Sequence, residues 1–356
     1  MNFVIFHKEK SYMNNNLDLS STTSEKNGFS FLRFLFAFSI FLSHFGILIN
    51  NEADWWPISS TLRVNAFFII SGFLVMRSFS RCKSVSDYAI RRVRRIVPAY
   101  MFTIIICAIS FSLISSLSFH DYFSSKYFFK YLVANLSFLN FIQPTLPGVF
   151  TDNPFPFVNG SLWILKVEIA LYVLVPILAL FSNKQKNIFV FVGLYVLSFL
   201  FINYMTYLYQ QTENGIYLIL RRQFLGQLRF FISGVILLFY FDAIRAKLKY
   251  LLPVAIMVVL LQHFSNNWII DFLFPFSFSI VLVSFVYHFK KLAIVIKYGD
   301  FSYGFYLFHF PIIQLMIHFG FFNKSPVLLF LLCFFIILLL SVLSWHLLEK
   351  RVLKRT

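Results

Sequence analysis

The sequence predicts an all-α, polytopic integral membrane protein, and three observations carry that expectation. Of its 356 residues 59% are hydrophobic and only 13% charged, with a mean hydropathy of +0.76, a balance foreign to water-soluble domains. Apolar runs of about 20 residues recur along the chain, the length a helix needs to cross a ~30 Å hydrocarbon core. The cationic residues, which give a net charge of +17, gather between alternate runs instead of spreading evenly.

Ten spans follow in order: 30–49, 62–79, 96–117, 161–181, 188–208, 224–241, a shorter 251–264, 268–289, 301–319 and 327–348. An even number puts both termini on one side. If that side is cytoplasmic, the inside segments collect 23 of the 31 Lys and Arg, so both termini are expected inside. The positive charge is then mostly topology and not a nucleic-acid signature. Residues 127–142 are apolar but too short to span, and are expected to form a helix lying at the outer interface. The following PTLPGVFTDNPFPF holds four prolines and reads as an ordered or mobile external flap. Residues 1–28 form a polar cytoplasmic segment without a cleavage signal, which makes the first span an uncleaved signal anchor. Residues 29–349 form one transmembrane domain and 350–356 a basic cytoplasmic tail. Cys82, Cys107 and Cys333 lie far apart, so neither a disulfide framework nor a metal site is expected.

Ionisable residues inside the spans are costly and therefore informative. In FLRFLFAFSIFLSH, Arg33 and His44 are eleven residues apart, so they share one helix face about 16 Å apart. Counting from span ends places His44 and Glu168 at about 10 Å depth from the outer surface. Tyr172 lies one turn beyond Glu168, Arg63 and Arg229 fall in the outer half, and His309 sits near the middle. Matching depths suggest a shared polar cavity. A histidine beside a carboxylate can act as a general base that activates a hydroxyl for acyl transfer. The plainer reading keeps each residue structural, with Arg63 or Lys166 snorkelling and His309 satisfied by a hydrogen bond within the bundle.

At the inner face Arg91, Arg92, Arg94 and Arg95 open the third span. Clustered guanidinium groups there suit phosphate, although positive-inside bias alone also favours them. Ser71 and Gly72, in FIISGFL, let another helix or a ligand approach the backbone closely.

Taken together these segments resemble the membrane-bound acyltransferase family 3, which O-acetylates bacterial surface polysaccharides. The resemblance rests on Arg33 and His44 with ten residues between; FFIISGFL from Phe67; Arg92 and Arg95 ahead of Ile96, Pro98 and Tyr100; LWILKVEIALYVLVP around Glu168, Tyr172 and Pro176; and SYGFYLFHFPI with Tyr303, Tyr306 and His309. Arg229, Phe231 and Gly234 resemble the family's sixth span. The match covers about Phe29 to Glu349.

The resemblance implies an O-acyltransferase with acetyl-coenzyme A as cytoplasmic donor substrate and no permanently bound cofactor. The acceptor is expected to be a hydroxyl of an extracytoplasmic or lipid-linked glycan such as O-antigen or capsule, in the bacterial cytoplasmic membrane. His44 becomes the catalytic base or acyl carrier and Glu168 a further catalytic residue. Arg33, Arg92, Arg95, Ser71 and Gly72 fall on the donor side, with Tyr172, Arg229, Tyr303 and His309 as other site candidates. Only seven residues follow Glu349, so no attached extracytoplasmic domain is expected, and the acceptor is met by the membrane domain or a separate partner. The competing class is a lipid-linked glycan flippase or polysaccharide polymerase, which would be expected to show paired halves or interrupted helices that this sequence lacks.

Overall fold

A computed structural model describes residues 23–49, 60–181, 188–264, 267–288, 299–321 and 325–353. The regular elements among the described residues are all helical. They are α1 (Thr23–Leu48), α2 (Ser60–Ser80), α3 (Val85–Ser110), the short α4 (Phe119–Ser124) and α5 (Lys126–Leu136), α6 (Trp163–Ala179), α7 (Ile188–Thr212), the short α8 (Ile216–Arg221), α9 (Phe224–Phe239), the short α10 (Phe241–Ala246), α11 (Leu248–Phe264), α12 (Trp268–His288), α13 (Ser302–His318) and α14 (Pro326–Ser344). A π-helical turn, Trp345–Glu349, carries the chain on into Lys350–Leu353.

A helix coincides with each of the ten expected spans. Seven helical stretches among the described residues are long and apolar enough to cross a membrane, so the protein is polytopic. The other three, α6, α11 and α13, have 17 residues each, about 25 Å of helix. The third helix begins at Val85, eleven residues before its apolar stretch, because the segment carrying Arg91 to Arg95 continues the same helix. The expected cationic positions Lys8, Lys10, Lys184, Lys186, Lys290, Lys291, Lys297, Lys354 and Arg355, with most of the 1–28 segment and part of the 350–356 tail, lie outside the described residues.

The outer-interface helix is shorter than expected. It ends at Leu136 and not near Ile142, because Asn135 turns its side-chain amide to the carbonyls of Tyr131 and Gln143 (2.8 and 2.9 Å) and Phe138 takes a positive φ of 59°. Side-chain competition of this kind is how Asn ends helices. Tyr100 locks the turn by stacking on Phe138 at 4.3 Å and donating to the Asn135 carbonyl at 2.7 Å.

The topology rests on the distribution of cations. Cysteines introduced at Asp152 and Asn214 are expected to be labelled from outside the cell and one at Lys247 only after permeabilisation. If the Asn214 and Lys247 positions report from the same side, α9 is not a span.

The chain divides into two compact units, residues 1–29, 64–88 and 167–294 in the first and 30–63, 89–166 and 295–356 in the second. In the first, α2 and α9 cross at their glycines. A Cβ on Gly72 would lie 2.1 Å from the Phe231 carbonyl oxygen, and one on Gly234 equally close to that of Ile69. Small residues that let backbones approach are the main device for joining helices in lipid. Backbone cannot yield as a side-chain tip can, so Gly72→Ala is expected to destabilise by about 3 kcal/mol, the upper end for overpacking, read as a lower unfolding temperature in detergent.

In the second unit α1 packs along α13. The buried face of α1 carries Ala37, Phe41, Phe45 and Leu48 against Phe305, Phe308 and Ile313, and this is the stripe that Arg33 and His44 share. Arg33 contacts Asp300 just ahead of α13, Phe41 packs edge-on to Phe305, and His44 meets His309. Contacts in that order make the two helices parallel, as a ten-span count requires of the first and ninth.

Candidate active site

Arg33 and Arg95, each eleven residues into its helix (α1 and α3), Asp300 just ahead of α13 and Glu349 in the π-helical turn after α14 form one network of four charges. Arg95 Nη2 donates to Asp300 Oδ2 at 2.7 Å and its Nη1 to Glu349 Oε2 at 3.2 Å, while Arg33 Nη1 reaches the same Asp300 oxygen at 3.2 Å. Ser302 Oγ–H donates to Asp300 Oδ1 at 2.5 Å, and Ser344 Oγ–H to Glu349 Oε1 at 3.2 Å. Burial alone would raise the Asp300 carboxyl, but Arg33 and Arg95, with the bonds from Ser302, bring it down to about 2. Tyr303 holds α13 to α3 by donating to the Ile96 carbonyl at 2.9 Å, and the Arg95 guanidinium lies 5.8 Å from the Tyr303 ring and 5.9 Å from that of Trp345. All four charges lie near span ends that the cation count predicts to be inside.

These contacts change the reading of the basic cluster. Arg33 and Arg95 are bound to carboxylates of the protein, so they are not simply open to a phosphate. Arg92 sits three residues before Arg95 on α3, half-buried. Asp300 and Glu349 were not singled out in the sequence. A signal was present, since the chain has only 14 acidic residues and these two lie at inner span ends among cations.

Some 16 Å farther along α1, His44 Nδ1 lies 2.8 Å from His309 Nε2 with the rings coplanar. Phe310 packs edge-on against His44 at 5.3 Å. His309 is fully buried, whereas His44 keeps part of its surface open. Arg63 is also buried in this unit, its Nη1 donating to the Ser39 carbonyl at 2.6 Å, a little over one turn before His44.

The proline-rich loop is ordered and holds α13 from the side. Pro311 has no N–H to offer the Leu307 carbonyl, and Asn159 Nδ2 donates to that oxygen instead at 2.9 Å. Asn159 Oδ1 in turn accepts from Ser161 Oγ at 2.7 Å, and Tyr306 donates to the Ser161 carbonyl. One turn beyond His309, Gln314 Nε2 donates to the carbonyls of Phe155 and Phe157, and Asn153 Nδ2 bonds the Gln314 side chain at 3.0 Å. The loop thereby satisfies polar groups of the helix that presents His309.

Glu168, Tyr172, Ser71, Gly72 and Arg229 belong to the first unit. Glu168 is buried and accepts from the Tyr172 hydroxyl, as their one-turn spacing anticipates, while the Tyr172 carbonyl accepts from Tyr88 at 3.0 Å. Arg229 is paired bidentately with Asp271 at 2.9 and 3.0 Å, which supplies a counter-charge within the same unit. Ser71 is buried, and Gly72 beside it is spent on the α9 crossing. Of the residues expected to share a cavity, the structure thus joins His44 to His309 and meets the Arg229 charge within its own unit.

Residues 26–346 match the acyltransferase 3 family model, described as an acyltransferase domain. The chain belongs to that family. It is 27% identical over 350 residues to the O-acetyl transferase of Shigella phage Sf6, covering 93% of this chain and 97% of that one. Nodulation protein 10 of Rhizobium leguminosarum bv. viciae is 24% identical over 178 residues, 47% of each chain. A Staphylococcus aureus (strain COL) protein whose name carries O-acetyltransferase is 22% identical over 345 residues, 85% of this chain and 54% of that longer one. No solved structure matches the chain. The protein is therefore an acyltransferase that spans the membrane several times, and the flippase and polymerase alternatives are left without support.

Proposed function

We propose that the protein is an O-acetyltransferase of the bacterial cytoplasmic membrane, which moves acetyl from cytoplasmic acetyl-coenzyme A to a hydroxyl of an extracytoplasmic or lipid-linked glycan such as O-antigen or capsule. The observation that carries it is the arrangement along α1, with guanidinium groups around Arg33 at one end and a partly open imidazole, His44, about 16 Å away on the same face. Arg92, with Arg33 and Arg95 beside it, serves the phosphates of the donor, and the flexible pantetheine arm spans the interval to His44. The names of the phage and staphylococcal relatives support acetyl as the group moved.

In the reaction His44 Nε2 takes the proton of the acceptor hydroxyl as its oxygen attacks the thioester carbonyl. The tetrahedral adduct collapses with cleavage of the carbon–sulfur bond, and the imidazolium returns the proton to the departing thiolate. Ester and free thiol are the products. The family resemblance makes Glu168, which accepts from the Tyr172 hydroxyl, a further catalytic residue.

The test is transfer of labelled acetyl from acetyl-coenzyme A in membrane vesicles, with mass spectrometry of the host's surface glycans with and without the gene. Gene-dependent acetyl esters on a glycan support the reading, and unchanged glycans together with no gene-dependent transfer overturn it.

A further inference from the structure

The bond between the two histidines has a direction that the backbone sets. His309 Nδ1 lies 2.7 Å from the Tyr306 carbonyl oxygen, an atom that only accepts, so a neutral His309 carries its proton on Nδ1 and a lone pair on Nε2. That lone pair faces His44 Nδ1 at 2.8 Å, so the proton of a neutral His44 sits on Nδ1. The basic atom of His44 is then Nε2. Coplanar rings suit such a bond, because imidazole lone pairs lie in the ring plane. No hydrogen bond reaches His44 Nε2 among the described residues, and His44 is the more open of the two rings.

We propose that His309 is a positioning residue that locks His44 in the tautomer whose Nε2 is the base. This rests on the reading of His44 as the base. The chain Tyr306 C=O···H–Nδ1 His309 Nε2···H–Nδ1 His44 orients and moves no proton, since the carbonyl at its end accepts none. When Nε2 takes the hydroxyl proton, the imidazolium keeps its Nδ1–H on the His309 lone pair, and the same Nε2 proton is later given to the leaving thiolate. His309 is thus the uncharged counterpart of the carboxylate that orients histidine in hydrolytic triads. Its own orientation comes from α13, where Asn159 compensates for Pro311 two residues beyond it.

The experiment compares His309→Leu, His309→Gln and His44→Ala in acetyl transfer, with kcat and KM for acetyl-coenzyme A measured at matched protein level. Gln Oε1 can reach about where Nε2 sits and accept from His44; Leu cannot accept. The expected result is about 100-fold or greater loss of kcat in His309→Leu with KM within about twofold, and recovery of at least about tenfold in His309→Gln. A Leu variant within about threefold of wild type, or a Gln variant no better than Leu, overturns the proposal. Should the Leu variant not accumulate, Gln decides alone, supporting the proposal within about tenfold of wild type and overturning it at the level of His44→Ala. An inactive His44→Ala beside a fully active His309→Leu removes only the positioning role, whereas an active His44→Ala removes the base assignment itself.

Discussion

Replacing His44 by alanine is expected to cut acetyl transfer by about 100- to 10,000-fold, the range lost when a positioned proton acceptor is removed, while the protein still accumulates in the membrane. His44→Asn separates chemistry from architecture. An asparagine amide can place an N–H near the Nδ1 position and keep the bond to His309 Nε2, now 2.8 Å, but it has no basic atom to replace Nε2. Asn is therefore expected to be as inactive as Ala and more stable to heating. Acetyl transfer in membranes, with each variant quantified by immunoblot, reads the first difference, and thermal unfolding in detergent the second. Substantial activity in His44→Asn would reduce His44 to a packing residue on the α1 face.

Asp300→Asn is expected to weaken the fold more than any other single change in the ion network, because Asp300 accepts from both Arg33 and Arg95. Side-chain exposures of 14% to 26% for the three residues place the cost at the low end for breaking a buried pair, about 3 kcal/mol. Linkage gives a similar figure. A carboxyl lowered from 3.8 to about 2 contributes about 2 kcal/mol. Its folded pKa is depressed, so that contribution is fully present above about pH 4 and is lost only as pH falls through about 2. The gap in unfolding temperature between wild type and Asp300→Asn is then expected to stay constant from pH 8 to about pH 4 and to narrow below about pH 3. A gap already closing between pH 7 and 5 would mean that Asp300 is not held by the two guanidinium groups.

The variants also test different ends of one helix. Asp300 acts where α1, α3, α13 and α14 bring their charges together, and His44 acts where α1 and α13 bring their histidines together. Loss of stability without the specific loss of kcat, or the reverse, would assign each end its own task.

Much of this was determined by sequence alone. The helical, polytopic architecture follows from the length of the apolar runs, because the bilayer imposes it before any tertiary contact forms, and the cations between the runs carry the expected sidedness. The shared face of Arg33 and His44 follows from helical periodicity, and the one-turn Glu168–Tyr172 contact from the same rule. What the face met was decided only by tertiary structure. Asp300 is 267 residues from Arg33 in sequence, and His309 265 from His44, and no local pattern encodes a partner at that distance. For the same reason depth counting names no partner for Arg229, and Asp271, 42 residues away, supplies one. Depth is one coordinate along a helix axis, and a site needs the other two. The direction of the His309–His44 bond lies further still from the sequence, since it depends on a single backbone carbonyl, that of Tyr306, placed by the fold of α13.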